Sequence, residues 1–156
     1  MYLRDKTKIE EKDKNSLPMS IEQIKSIIFC IQESLKNNKN VKDGTTVYRG
    51  VDMKLADNIG IGSKFYLNGF ISTSTKRKKT KIFMKGKKGT LFIIKIKNNK
   101  ERNYCFNIAK YSEFKEESEI LISALCYYQV TGIQRNEEED IVNLDCLGFV
   151  LDNLIK

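Results

Sequence analysis

The sequence predicts an α+β domain in which two packed sheets carry one N-terminal helix on a flank. Two observations lead to it. A single apolar stripe at helical spacing lies between residues 20 and 38, and eight short β-rich runs follow between 45 and 150. One helix followed by many strands is the pattern of helices segregated to one side of a sheet. The chain of 156 residues fits one domain, 1–156, with a polar leader at 1–16, the helix at 20–38 and a β-rich core at 45–150.

Pro18 separates the leader from the helix. Ser20, followed three residues later by Gln23, forms a capping-box pattern in which side chain and backbone satisfy each other's donors at a helix start. Ile21, Ile24, Ile27, Ile28, Ile31 and Leu35 then fall three or four residues apart and form one stripe that calls for burial. The Asn-Asn-Lys-Asn run from Asn37 ends it.

Beyond Gly44 the β-rich runs are Thr45–Val51, Ser63–Leu67, Phe70–Ser74, Thr90–Lys97, Tyr104–Ala109, Glu119–Ser123, Leu125–Gln134 and Ile141–Phe149, with turn residues between them. Thr90–Lys97 is nearly continuously apolar, which suits a central strand covered on both faces.

Composition removes several kinds of chemistry. The chain has no histidine, which excludes Ser-His-Asp and Cys-His catalysis and imidazole metal sites. Cys30, Cys105, Cys126 and Cys146 show no short-range pair of the zinc-binding kind and read as buried free thiols. The charged start lacks the apolar core of a signal peptide, so the expectation is a cytoplasmic protein or one exported by another route. No stretch has the length of a membrane-spanning helix. Lys and Arg number 28 against 20 acids, for a net charge of +8. Lysine is the default cation, 23 of those 28, so each arginine is informative. Residues 76–88 hold eight Lys or Arg in thirteen positions. That stretch reads as a solvated helix, or as an anion-binding face for an acidic protein or, less favoured, nucleic acid; it lacks the regular aromatics on which single strands stack.

Three segments carry the chemistry: Val47-Tyr48-Arg49-Gly50, Gly69-Phe70-Ile71-Ser72-Thr73-Ser74, and Glu116-Glu117-Ser118-Glu119-Ile120-Leu121-Ile122. Each alone is unspecific. Together, in this order, they resemble the Arg, Ser-Thr-Ser, Glu-x-Glu signature of the arginine-directed mono-ADP-ribosyltransferases, and the resemblance runs from about Gly44 to Val130. Gly62–Phe70 is similar to the family's approach to Ser-Thr-Ser, and Ile108, Ser112 and Phe114 fall where the family has Ile, Ser and an aromatic before Glu-x-Glu. Family domains carry a longer helical lobe ahead of the Tyr-Arg-Gly strand.

The resemblance implies two packed, mostly antiparallel sheets with a cleft for NAD, a substrate and not a resident cofactor, and no metal. Transfer of ADP-ribose to arginine on a protein acceptor would release nicotinamide. The catalytic set would be Glu119, Glu117, Arg49 and Ser72. Arg49, Gly50, Ser72, Thr73, Ser74 and Glu119 would surround the dinucleotide, and Phe114 and Glu117 would meet the acceptor. Among Phe83, Tyr104 and Phe106, the sequence does not select the aromatic that stacks on nicotinamide.

These residue types suit the reaction on physical grounds. Breaking the bond from ribose C1′ to nicotinamide leaves an oxocarbenium-like ribosyl cation, which a fixed carboxylate stabilises. Glu119 is the candidate. Glu117, two residues earlier, would point to the same side if the segment is extended, and a carboxylate there pairs bidentately with an acceptor guanidinium. Arg49 offers directed donors to phosphate that lysine lacks. Gly50 would let the backbone approach the ligand. The same residues would serve a NAD glycohydrolase, and a non-catalytic basic binding domain is the reading outside enzymology.

Overall fold

The computed structural model describes residues 21–35, 41–80, 88–97, 99, 103–109 and 118–150. The leader, Pro18, the cap Ser20 and the predicted last turn of the helix at 36–38 lie outside them. The described elements are helix α1 (Ile21–Leu35), strands β1 (Thr46–Val51), β2 (Lys64–Leu67) and β3 (Ile71–Ser74), a single helical turn α2 (Arg77–Thr80), and strands β4 (Gly89–Ile96), β5 (Cys105–Asn107), β6 (Glu119–Ile122), β7 (Cys126–Arg135) and β8 (Glu139–Phe149). Every predicted strand is present within two residues at each end.

The α+β class holds, with one difference from the expected pair of sheets. Hydrogen bonding joins all eight strands into a single sheet in the order β2-β7-β8-β4-β1-β3-β6-β5. The joint is narrow. Strand β1 makes six register pairs with β4 but only one, Tyr48 with Ser74, with β3. Five strands therefore lie on one side of this seam and three on the other. Ile71, Ile120, Ile122 and Cys105 from the smaller side share one core cluster with Val47, Ile94, Val142 and Cys146 from the larger. A flat sheet could not bring those residues together, so the two halves face each other across the seam. The one bridge is what turns two expected sheets into one.

The apolar run of β4 is central as its composition requires, between β1 and a parallel partner, β8. In β8 residues 140, 142, 144, 146 and 148 are buried in strict alternation with less buried neighbours. Gly148 has φ +93°, and the Tyr104 ring lies 3.4 Å from where a Cβ would stand, so a side chain there meets both strain and a neighbour.

Helix α1 departs from expectation. All of its described side chains are exposed, among them Ile27, Phe29 and Ile31, and the core cluster closes with strand and loop residues without them. The predicted stripe is therefore not buried at Ile27 or Ile31. The four cysteines are free, but Cys30, on this helix, is exposed, whereas Cys105, Cys126 and Cys146 are buried.

A polar knot ties the ends of β4 and β5 together. Asn99, 4% exposed, donates from Nδ2 to the Val41 carbonyl (2.9 Å) and to Asn103 Oδ1 (3.0 Å). Its Oδ1 accepts from the Tyr104 and Cys105 amides at 2.8 and 3.0 Å. The Tyr104 hydroxyl donates to the Lys97 and Cys146 carbonyls. Asn99→Ala leaves buried backbone groups without partners, at about 1–3 kcal/mol for each group. The expected outcome is a fall in unfolding free energy of about 3 kcal/mol or more, read as a lower urea midpoint.

Burial, helped by neighbouring thiols, pushes the Tyr104 and Tyr128 hydroxyls and the Cys105 thiol well above their ordinary values. In the unfolded chain these groups release protons above about pH 9 to 10, while in the fold they hold them. The unfolded state then binds fewer protons, so stability is intact below that window and falls as pH rises through it, by about 1.4 kcal/mol per pH unit for each group. Urea midpoints from about pH 8 to pH 11 should show this decline, and Tyr128→Phe should remove one increment of it.

Candidate active site

Arg49, Ser72 and Glu119 meet at the seam. In β1, Arg49 is two residues from Val47, which is fully buried, so its side chain leaves from the core face at the strand's end and is half-buried. Its Nη1 donates to the Ser72 carbonyl at 2.9 Å, spanning the junction that the backbone crosses with one pair. The Ser72 hydroxyl in turn donates to Glu119 Oε1 in a short hydrogen bond. Three strands, β1, β3 and β6, are thus linked in one chain of polar contacts.

Pairing explains the placement. Ser74 lies opposite Glu119 and Ser72 opposite Leu121, so Ser72, Ser74 and Glu119 share one face of the β3–β6 ladder. Thr73 occupies the other face. It is buried, and its hydroxyl donates to the Ile120 carbonyl at 2.7 Å, so its side chain serves the ladder. The Ser74 hydroxyl accepts from the Lys76 amide at 3.0 Å and fixes the exit of β3.

The backbone ahead of Glu119 is not extended. Ser118 has φ +48°, a left-handed conformation, and β6 begins only at Glu119. The expectation for Glu117 is conditional on an extended segment, and Ser118 is not extended. Glu117, Phe114 and Phe83 lie outside the described residues. Tyr104 and Phe106 are each 1% exposed and belong to the core.

At Gly50 a Cβ would lie 2.5 Å from the Thr80 carbonyl oxygen, so α2 packs closely against the backbone at this position. The Thr80 hydroxyl donates to the Arg77 carbonyl at 2.6 Å, and Arg77 pairs with Glu139 at the start of β8 at 3.4 Å. The solvated helix read for residues 76–88 has its described part in α2, Arg77–Thr80; what was not legible is that this turn packs its Thr80 carbonyl against Gly50.

Among the described residues no group of three His, Cys, Asp or Glu side chains is arranged to hold a metal, and no helix is long and apolar enough to cross a membrane. A depression of about 310 Å³, bordered by Thr46, Lys95, Asn143 and Asp145, includes none of the candidate residues.

Comparison with solved structures gives the class. The ADP-ribosyltransferase Vis of Vibrio splendidus, in complex with an inhibitor, is 25% identical with a TM-score of 0.65, over 81% of this chain and 58% of that one. Exoenzyme S from Pseudomonas aeruginosa, bound to carba-NAD and a human 14-3-3 protein, is 16% identical with a TM-score of 0.62 over 81% of this chain and 60% of its own. A toxin of the same class from Paenibacillus larvae covers 91% of this chain and 78% of its own, at 19% identity and a TM-score of 0.61. The fold is that of an ADP-ribosyltransferase. The chain matches the model of the NAD:arginine ADP-ribosyltransferase family over residues 13–149, and it belongs to that family. An uncharacterized protein of Acanthamoeba polyphaga mimivirus is 44% identical over 79 residues, which are 49% of this chain and 19% of that protein. The chain therefore spans less than two thirds of the length of Vis and under a fifth of that viral protein.

Gly50→Ala is expected to destabilise the fold by about 1–3 kcal/mol, because the new methyl overlaps a main-chain oxygen. Adding Thr80→Gly should give no rescue, since the obstacle is the carbonyl and not the side chain; thermal unfolding of the single and double variants checks both.

Proposed function

We propose that the chain is a mono-ADP-ribosyltransferase that moves ADP-ribose from NAD to an arginine side chain of a protein acceptor and releases nicotinamide. The observation that carries this reading is the linked set Arg49, Ser72 and Glu119 at one end of the seam. Family membership supports the same donor. Vis was crystallised with agmatine, a small guanidine, and that neighbour supports arginine as acceptor here.

In the proposed reaction the bond from ribose C1′ to the nicotinamide nitrogen breaks and its electron pair leaves with nicotinamide. Positive charge develops on the ribose, and Glu119, held by the Ser72 hydroxyl, faces it and accepts a hydrogen bond from the 2′-hydroxyl. Orienting this carboxylate beforehand lowers reorganisation during bond cleavage. Arg49 holds a phosphate or the adjoining ribose of the dinucleotide, with Gly50, Ser72 and Ser74 alongside. A guanidinium nitrogen of the acceptor, oriented by Glu117 and contacted by Phe114, attacks C1′ and forms the new C–N bond. The proton it loses passes to the Glu117 carboxylate and then to water.

Glu119→Gln should lower nicotinamide release by about 10²–10³-fold with little change in stability. Ser72→Ala should lower it less, since the carboxylate remains. Glu117→Gln should abolish stimulation by agmatine while leaving slow release in its absence. Chromatographic quantification of nicotinamide, with and without agmatine, reads all three. Wild-type release indifferent to agmatine, with ADP-ribose as the product, would replace transfer by NAD hydrolysis.

A further inference from the structure

We infer that the basic turn beside the catalytic cleft docks an acidic segment of the protein that carries the target arginine, an assignment that rests on the transfer reading above. The argument starts from charge placement. From residue 58 to residue 100 the sequence has no Asp or Glu, although the rest of the chain holds 20. Within that span residues 76–88 hold eight Lys or Arg. A bias toward lysine raises cations everywhere, but it does not clear acids from one span, so the field here has no local counter-charge in sequence.

The structure sets the described part of this stretch alongside the site's residues. The Thr75 amide donates to the Ser118 carbonyl at 3.3 Å, next to Glu119. The Lys76 amide donates to the Ser74 hydroxyl. Four residues later the Thr80 carbonyl rests against Gly50, next to Arg49. The turn thus runs from the glutamate end of the site to the arginine end. Arg77 anchors it to Glu139, and Lys88 lies 3.5 Å from Asp140, so these two cations face acids of the fold. Lys76 and Lys78 are exposed and Lys79 is half-buried.

Charge complementarity selects the occupant. An acceptor arginine repels a cationic rim, and acidic residues around that arginine turn the repulsion into attraction and steer the encounter. Nucleic acid fits less well, because Phe83 is the one aromatic between residues 76 and 88 and stacking needs several.

The test compares two peptides of equal length, each with one arginine, flanked in one by glutamates and in the other by glutamines. Nicotinamide release is followed for the full wild-type chain and for Lys78→Glu/Lys79→Glu, with agmatine as the small acceptor. The expected result is a preference of about tenfold in kcat/KM for the acidic peptide. It should shrink as salt rises from about 0.1 to 1 M and the screening length falls from about 10 to 3 Å. In the double variant the preference disappears, while agmatine turnover and the KM for NAD stay as in wild type. Equal use of both peptides by wild type overturns the inference. So does a raised KM for NAD in the variant, which would assign the turn to the dinucleotide, or salt-sensitive binding of a short RNA without any peptide preference. If wild type does not turn over agmatine or either peptide, the arginine reading has failed instead. Fluorescence anisotropy of the labelled peptides then reads docking alone, and equal affinity for both overturns it.

Discussion

The seam between β1 and β3 is the constraint on which the rest of the molecule depends. One backbone pair joins a five-stranded and a three-stranded half, and the inner faces of both contribute to one core. A single pair cannot fix the angle between two sheets. The Arg49 guanidinium adds a second tie to the Ser72 carbonyl, and the core adds the rest. The residues of the proposed chemistry thus also close the fold at its narrowest point. A charged group at a junction is unfavourable unless its donors are met, and a site that needs a guanidinium at that place meets one of them with the strand it must approach.

The division of labour along β3 follows from period-two alternation. Ser72 and Ser74 face one way, Ser72 within the polar chain and Ser74 at the exit of the strand, while Ile71 and Thr73 are buried. Thr73 sends its hydroxyl to the backbone of β6, which satisfies a buried polar group and stiffens the pair that holds Glu119. Four consecutive residues therefore belong alternately to the core and to the site. The register that buries Ile71 is the register that exposes Ser72, and a slip by one residue would lose both.

Much of this was legible because it depends on local pattern. The strands were visible as β-branched and aromatic runs between turns, and the apolar run of β4 announced a central position. Arg49, Ser72 and Glu119 stood out through residue type and order, and the structure brings them into contact. What escaped the sequence depends on distant pairing. The single Tyr48–Ser74 bridge decides between one sheet and two, and no local pattern encodes it. The left-handed Ser118 has no glycine to mark it. The role of Asn99 arises from donors and acceptors on segments up to 58 residues away, and the exposure of α1 reflects a core that closes without its described side chains.

The parallel pairing of β4 with β8 joins residues fifty apart along the chain, from Gly89 with Glu139 to Ile96 with Cys146. Strand β4 is the inner neighbour of β1, so the strand bearing Arg49 rests on a partner whose far edge stays open until β8 is made. Arg49, Ser72 and Glu119 all leave the ribosome before that edge is covered. Long-range parallel pairing is slow because loop closure precedes its reward. The residues of the site are therefore made before β8, the strand that covers the far edge of the sheet holding Arg49.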